Sequence, residues 1–96
     1  MMLSGVGKLY SIYDGQAVAT VDYRLYLELS PEGHLSGWSG ELVLSDSRRI
    51  RDGDGYIIEL DDERKGRCSL RKKVNKAVMG VPPRYFYHVN GSGPLA

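Results

Sequence analysis

Gln16-Ala17-Val18-Ala19-Thr20-Val21-Asp22-Tyr23-Arg24-Leu25-Tyr26-Leu27-Glu28-Leu29 decides the fold class. Ala17, Ala19, Val21, Tyr23, Leu25, Leu27 and Leu29 fall on one face of an extended chain. Val18, Thr20, Asp22, Arg24, Tyr26 and Glu28 fall on the other. Successive side chains of a strand point to opposite sides, so this alternation predicts one face in a core and the other in water. A helix would need apolar residues at three- and four-residue intervals, and no stretch of the chain shows a convincing stripe of that kind. Fourteen residues is long for a strand, which predicts that it bends or bridges two sheets.

Turn signals bound this segment on both sides. Asp14-Gly15 precedes it, a pair that tolerates positive φ and suits a tight hairpin back to a first strand over Val6–Tyr13. Ser30-Pro31-Glu32-Gly33 follows as a turn, with Pro fixing φ and Gly relieving it. Leu35–Leu44 then reads as a strand with Trp38, Leu42 and Leu44 inward, and Gly37 and Gly40 permit coiling. After a polar loop over 45–55 come strands at Tyr56–Leu60, Arg67–Val74 and Arg84–Val89. A turn at Asp61–Gly66 joins the first two, and a connection over 75–83, with room for one helical turn before Pro82-Pro83, joins the last two. Six strands with little or no helix predict a small, all-β, single-domain antiparallel barrel or sandwich over residues 1–90. Residues 91–96 read as a flexible C-terminal tail.

Composition agrees with one globular domain: 96 residues, 42% hydrophobic and 26% charged. Seven tyrosines against one phenylalanine suit a thin domain, because a tyrosine covers apolar surface while its hydroxyl stays wet. The single cysteine, Cys68, rules out an intramolecular disulfide and favours a reducing, cytoplasmic setting. The N-terminal residues carry no signal-peptide pattern, and no apolar run is long enough to span a bilayer as a helix, so no membrane association is expected.

Net charge is only +1, yet Arg64-Lys65-Gly66-Arg67-Cys68-Ser69-Leu70-Arg71-Lys72-Lys73-Val74-Asn75-Lys76 holds seven Lys/Arg and no carboxylate. In an extended conformation Cys68, Leu70, Lys72 and Val74 share an inner face, with Lys72 snorkelling near the rim. Arg67, Arg71 and Lys73 form an outward ladder, with Arg64, Lys65 and Lys76 at its ends. Rows of cations attract phosphates through additive counterion release, whereas Asp22, Glu28 or Glu59 lying opposite would account for them without a ligand. Arg84-Tyr85-Phe86-Tyr87-His88 adds a further cation and aromatics on which bases could stack. One register exposes Phe86 and His88; the other buries Phe86, the most apolar of the set, and exposes Tyr85 and Tyr87 as contacts.

Other chemistries find less support. Counted as an EF-hand from Asp52, the chain places Glu63 at the twelfth position but Tyr56 and Ile57 at the fifth and sixth, so no metal site is expected. Arg48, Arg49 and Arg51 can pair with the aspartates of their own loop. Asp46-Ser47 in that loop resembles part of the motif of the PilZ nucleotide-binding barrels; the arginine pair those domains carry ahead of it is missing here, and no function is carried over. Cys68 falls on an apolar face, where a thiol is inert, and neither His34 nor His88 is placed by spacing to activate it. No catalytic group and no cofactor are therefore expected. The sequence points first to a non-catalytic binding module whose basic strand holds an anionic partner, a nucleic acid or an acidic protein surface. The alternatives are a homo-oligomeric or complex-assembly domain, and a small-molecule-binding barrel with Trp38 and tyrosines lining its cavity.

Overall fold

The long alternating segment forms strand β2 (Ala17–Leu29), which lies between β1 (Met2–Ser11) and β3 (Leu35–Leu44). The chain then adds β4 (Gly53–Glu59), β5 (Lys65–Lys72) and β6 (Phe86–Leu95). This computed structural model describes residues 1–44, 50–73 and 86–96. All six strands are antiparallel and close into one barrel in the order β1-β2-β3-β6-β5-β4, with β4 returning to β1. Of the two all-β architectures the sequence allows, the barrel is the one formed. No helix occurs among the described residues.

The inner face follows the predicted alternation. Val21, Tyr23, Leu25 and Leu27 of β2 are buried, as are Trp38, Leu42 and Leu44 of β3 and Cys68 and Leu70 of β5. A barrel of this size must be filled by side chains, and aromatics lying over glycines do much of the filling. A Cβ at Gly66 or at Gly91 would overlap the Trp38 indole. The ring therefore fits because β5 and β6 carry no side chain at Gly66 and Gly91, and its Nε1 donates to the Gly93 carbonyl at 3.1 Å. Tyr23 uses β1 in the same way, with its hydroxyl beside Gly5 and donating to the Asp61 carboxylate at 2.7 Å. Burial, followed by the hydrogen bond to Asp61, raises the Tyr23 pKa.

Several expectations need correction. The tail is absent over most of its length: residues 91–95 complete β6, and Leu95 is buried against the core. Gly66, Arg67 and Cys68 of β5 pair with Leu95, Ser92 and Gly91, and Ala96 exchanges both backbone hydrogen bonds with Lys65. The glycines and proline of Asn90–Leu95 resemble a loose end in sequence, but the edge of β5 supplies partners for their backbone groups. Likewise β1 begins at Met2 rather than Val6, and β4 at Gly53 rather than Tyr56. The first hairpin is wider than a two-residue turn, with Gly15 N–H bonded to the Ser11 carbonyl and only Gly15 of the pair at positive φ.

Tyr87 corrects the aromatic reading. It is fully buried, and its hydroxyl accepts from Ile50 N–H at 3.0 Å while donating to the Ile50 carbonyl at 2.8 Å. Phe86 takes the outer register with His88. The phenol is the better core residue here because two backbone groups inside the barrel need a partner, which phenylalanine cannot offer.

Candidate anion-binding face

The outer face of β5 carries Lys65, Arg67, Ser69 and Arg71, alternating with buried Gly66, Cys68 and Leu70. Three cations of the basic run are already engaged. Arg64 pairs with Asp62 at 2.7 Å, Lys65 with Glu59 at 3.4 Å, and Lys73 with Glu41 at 2.6 Å. All three pairs are partly solvated, so screening by water keeps their contribution to stability small. They still lower the positive potential at both ends of the strand. Hydrogen bonding with Arg64 holds the Asp62 carboxyl below its usual range, and the bond from Lys73 does the same for Glu41.

Arg67 and Arg71 differ: no ion pair engages either among the described residues. The register explains why. Arg71 lies opposite His88 and Arg67 opposite Ser92, both on β6, which has no carboxylate anywhere between Phe86 and Leu95. On its other side Arg67 faces Ile57 of β4. Arg67 and Arg71 thus face no carboxylate across the β5–β6 pairing, although Glu41 and Asp52 border the depressions beside Arg71.

Beyond β6 the outer row continues through Glu41 of β3 to Arg24 of β2. Glu41 is the one carboxylate in this row, and Lys73 reaches it over the width of β6. A parallel row runs from Ser69 through Asn90 and Ser39 to Tyr26, whose side is half exposed. Between the rows lies a depression of about 350 Å³, bordered by Tyr26, Ser39, Glu41, Arg71, His88 and Asn90. A second, of about 500 Å³, adjoins it through Arg71 and Asn90 and extends to Ser69, Asp52 and Gly53. Arg71 stands where the two meet.

Of the residues marked as contacts by sequence, the barrel brings Arg67 and Arg71 to this face and places Lys73 at its margin. Arg64 and Lys65 belong to ion pairs at the far end of β5, and Tyr87 belongs to the core. Lys76, Arg84 and Tyr85 lie outside the described residues, as do Arg48, Arg49 and the Asp46-Ser47 pair. Tyr26, Ser39 and Asn90 are the residues that local sequence reasoning missed. Alternation did mark Tyr26 as outward, but only the non-sequential order β3-β6-β5 shows that it shares a depression with Arg71.

The reactive groups stay apart. Cys68 is opposite Gly91, on the inner face, whereas His88 is outward and opposite Arg71. Burial pushes the Cys68 thiol up to about 12, so it is protonated at neutral pH. No cluster of His, Cys, Asp and Glu that could hold a metal ion occurs among the described residues, and no helix among them is long and apolar enough to cross a membrane. Compared with protein-family models, curated proteins and solved structures, the chain finds no match in any of the three.

Proposed function

We propose that this barrel is a non-catalytic binding module that holds an anionic partner on the outer face of β3, β6 and β5. The observation that carries the reading is the contrast within one strand. Arg64, Lys65 and Lys73 have carboxylate partners, while no ion pair engages Arg67 or Arg71 among the described residues. Arg71 supplies the principal charge at the junction of the two depressions, and Arg67 extends it along β5. Ser39, Ser69, Asn90 and His88 supply hydrogen-bonding groups around it. A guanidinium suits this role because its fork of donors matches the oxygens of a phosphate or carboxylate. The lone buried cysteine supports a cytoplasmic setting for this work.

A fluorescein-labelled decamer of abasic DNA, a phosphate backbone without bases, tests this by anisotropy across a salt series. With two arginines engaged, log K should fall linearly with log salt at a slope of about −1.4. Absence of binding even at low ionic strength would sink the reading.

An assembly role is favoured by a separate observation. Met1, Met2, Leu29 and Leu35 are 70%, 54%, 51% and 36% exposed, and Leu29 pairs with Leu35. Such exposed apolar groups suit contact with a second copy. Sedimentation velocity at micromolar concentration decides it: a monomer throughout the salt range removes this second reading.

A further inference from the structure

We infer that the anion held on this face is a single-stranded nucleic acid, with Tyr26 as the platform on which a base stacks beside the phosphate held by Arg71. The inference rests on the anion-binding reading above and adds to it the identity of the ligand. Three features of the face separate a nucleic acid from a small ion or an acidic peptide.

The first is length. The two depressions share Arg71 and Asn90, so together they make a track running from Tyr26 on β2 to Gly53 beside β5. Arg67 adds a second cation four residues from Arg71 along the same outer face, beyond Ser69. A single phosphate would use only the junction. A chain with a charge at every repeat uses the whole track.

The second feature is Tyr26 itself. It is 48% exposed on the outer face of β2, with Ser39 and Met2 as its cross-strand neighbours. An outward tyrosine offers a flat apolar ring, and bases stack on such rings without regard to sequence. The carboxylates of an acidic peptide gain nothing from it. Ser39 and Asn90 stand between Tyr26 and β5, where a base edge would find both donors and acceptors.

The third is the sign of the surroundings. Lys73 Nζ donates to the Glu41 carboxylate at 2.6 Å, so the one anionic group of that row already has a cationic partner. Asp52, at the border of the second depression, accepts from Lys72 N–H at 2.9 Å.

The experiment compares three labelled probes of similar length in low salt: oligothymidylate, the abasic decamer, and an oligoglutamate peptide. The expected result is that oligothymidylate binds at least about fivefold tighter than the abasic backbone, the low end of what one stacked base contributes. Tyr26→Ala should lower the oligothymidylate affinity to that of the abasic decamer on the same variant, with circular dichroism reporting that the variant is folded. Tyr26→Phe should retain it, since the ring and not the hydroxyl does the stacking. Equal binding of the thymidylate and abasic probes would overturn the inference and leave the anion reading standing. Oligoglutamate binding as tightly as oligothymidylate would overturn it in favour of an acidic protein partner. Failure of all three probes would overturn this inference and the reading beneath it together.

Discussion

The ends of β5 and its middle carry the same kind of side chain in opposite circumstances. At the ends, Lys65 meets Glu59 and Lys73 meets Glu41, with Arg64 and Asp62 paired in the adjoining turn. Between those pairs, Arg67 and Arg71 face Ser92 and His88 of β6. Neighbouring strands decide the difference, since β3 and β4 contribute carboxylates to the outer surface and β6 contributes none. A charge run is therefore not one patch. Cross-strand register sorts it into pairs that balance themselves and cations left for something else.

That comparison requires a rigid inner face, and the most damaging way to break it is to remove the side chain that fills the barrel. Trp38→Ala should cost about 3–5 kcal/mol, because the indole fills space that Gly66 and Gly91 leave open. Urea unfolding followed by circular dichroism reads the loss, and anion binding should disappear with it. A cost below about 1 kcal/mol would show that the ring does not hold the strands in register.

Tyr87→Phe probes the same support more gently. It leaves Ile50 N–H, inside the barrel, without its hydroxyl partner, and should destabilise by about 1–3 kcal/mol. Because β6 carries His88 and Asn90 to the outer face, affinity at low denaturant should change little while the unfolding midpoint falls. An unchanged midpoint would mean that water replaces the phenol at no cost.

Glu41→Gln sharpens the comparison by converting a paired end cation into one resembling the middle pair. Stability should drop by less than about 1 kcal/mol, since both partners are well solvated. Affinity for the abasic probe should rise by about two- to fivefold as Lys73 is released and a repelling charge is removed. The pH dependence has a defined sign. The Glu41 pKa is lowered from 4.5, so its stabilising contribution is complete above that ordinary value and is lost as pH falls through the lower folded one. The stability difference between wild type and variant should accordingly vanish in acid. A difference that persists there would point to packing rather than charge.

Much of the barrel was legible in sequence because alternation fixes faces locally. Leu35–Leu44 is predicted with the bounds observed, since a Pro-Gly turn precedes it and its inward residues recur at every second position without interruption from Leu42 to Leu44. The final strand was legible as far as Val89, but its continuation over Asn90–Leu95 was not. Gly91, Gly93 and Pro94 interrupt the inward pattern after Val89, and the reason for a small residue at 91 is the Trp38 ring from another strand. The site was half legible for the same reason. Periodicity marks Arg67, Arg71 and Tyr26 as outward, but it cannot say that β6 inserts between β3 and β5, and this insertion decides both the Lys73–Glu41 pair and the neighbours of Arg71. Tyr87 failed because hydropathy ranks a phenylalanine above a tyrosine, whereas the buried groups of Ile50 call for a hydroxyl.

The most direct measurement sets middle against ends. Arg67→Gln/Arg71→Gln and Arg64→Gln/Lys65→Gln each remove two cations from the same run, leaving net charge equal between them. Binding of the abasic decamer by the first variant should fall by at least about tenfold, ~1.4 kcal/mol, with the salt slope reduced towards zero. The second variant should stay within about twofold of wild type, because its cations are already committed to Asp62 and Glu59. Equal losses in the two variants would contradict the account, since binding would then follow total charge, and the lack of an ion pair at Arg67 and Arg71 among the described residues would carry no function.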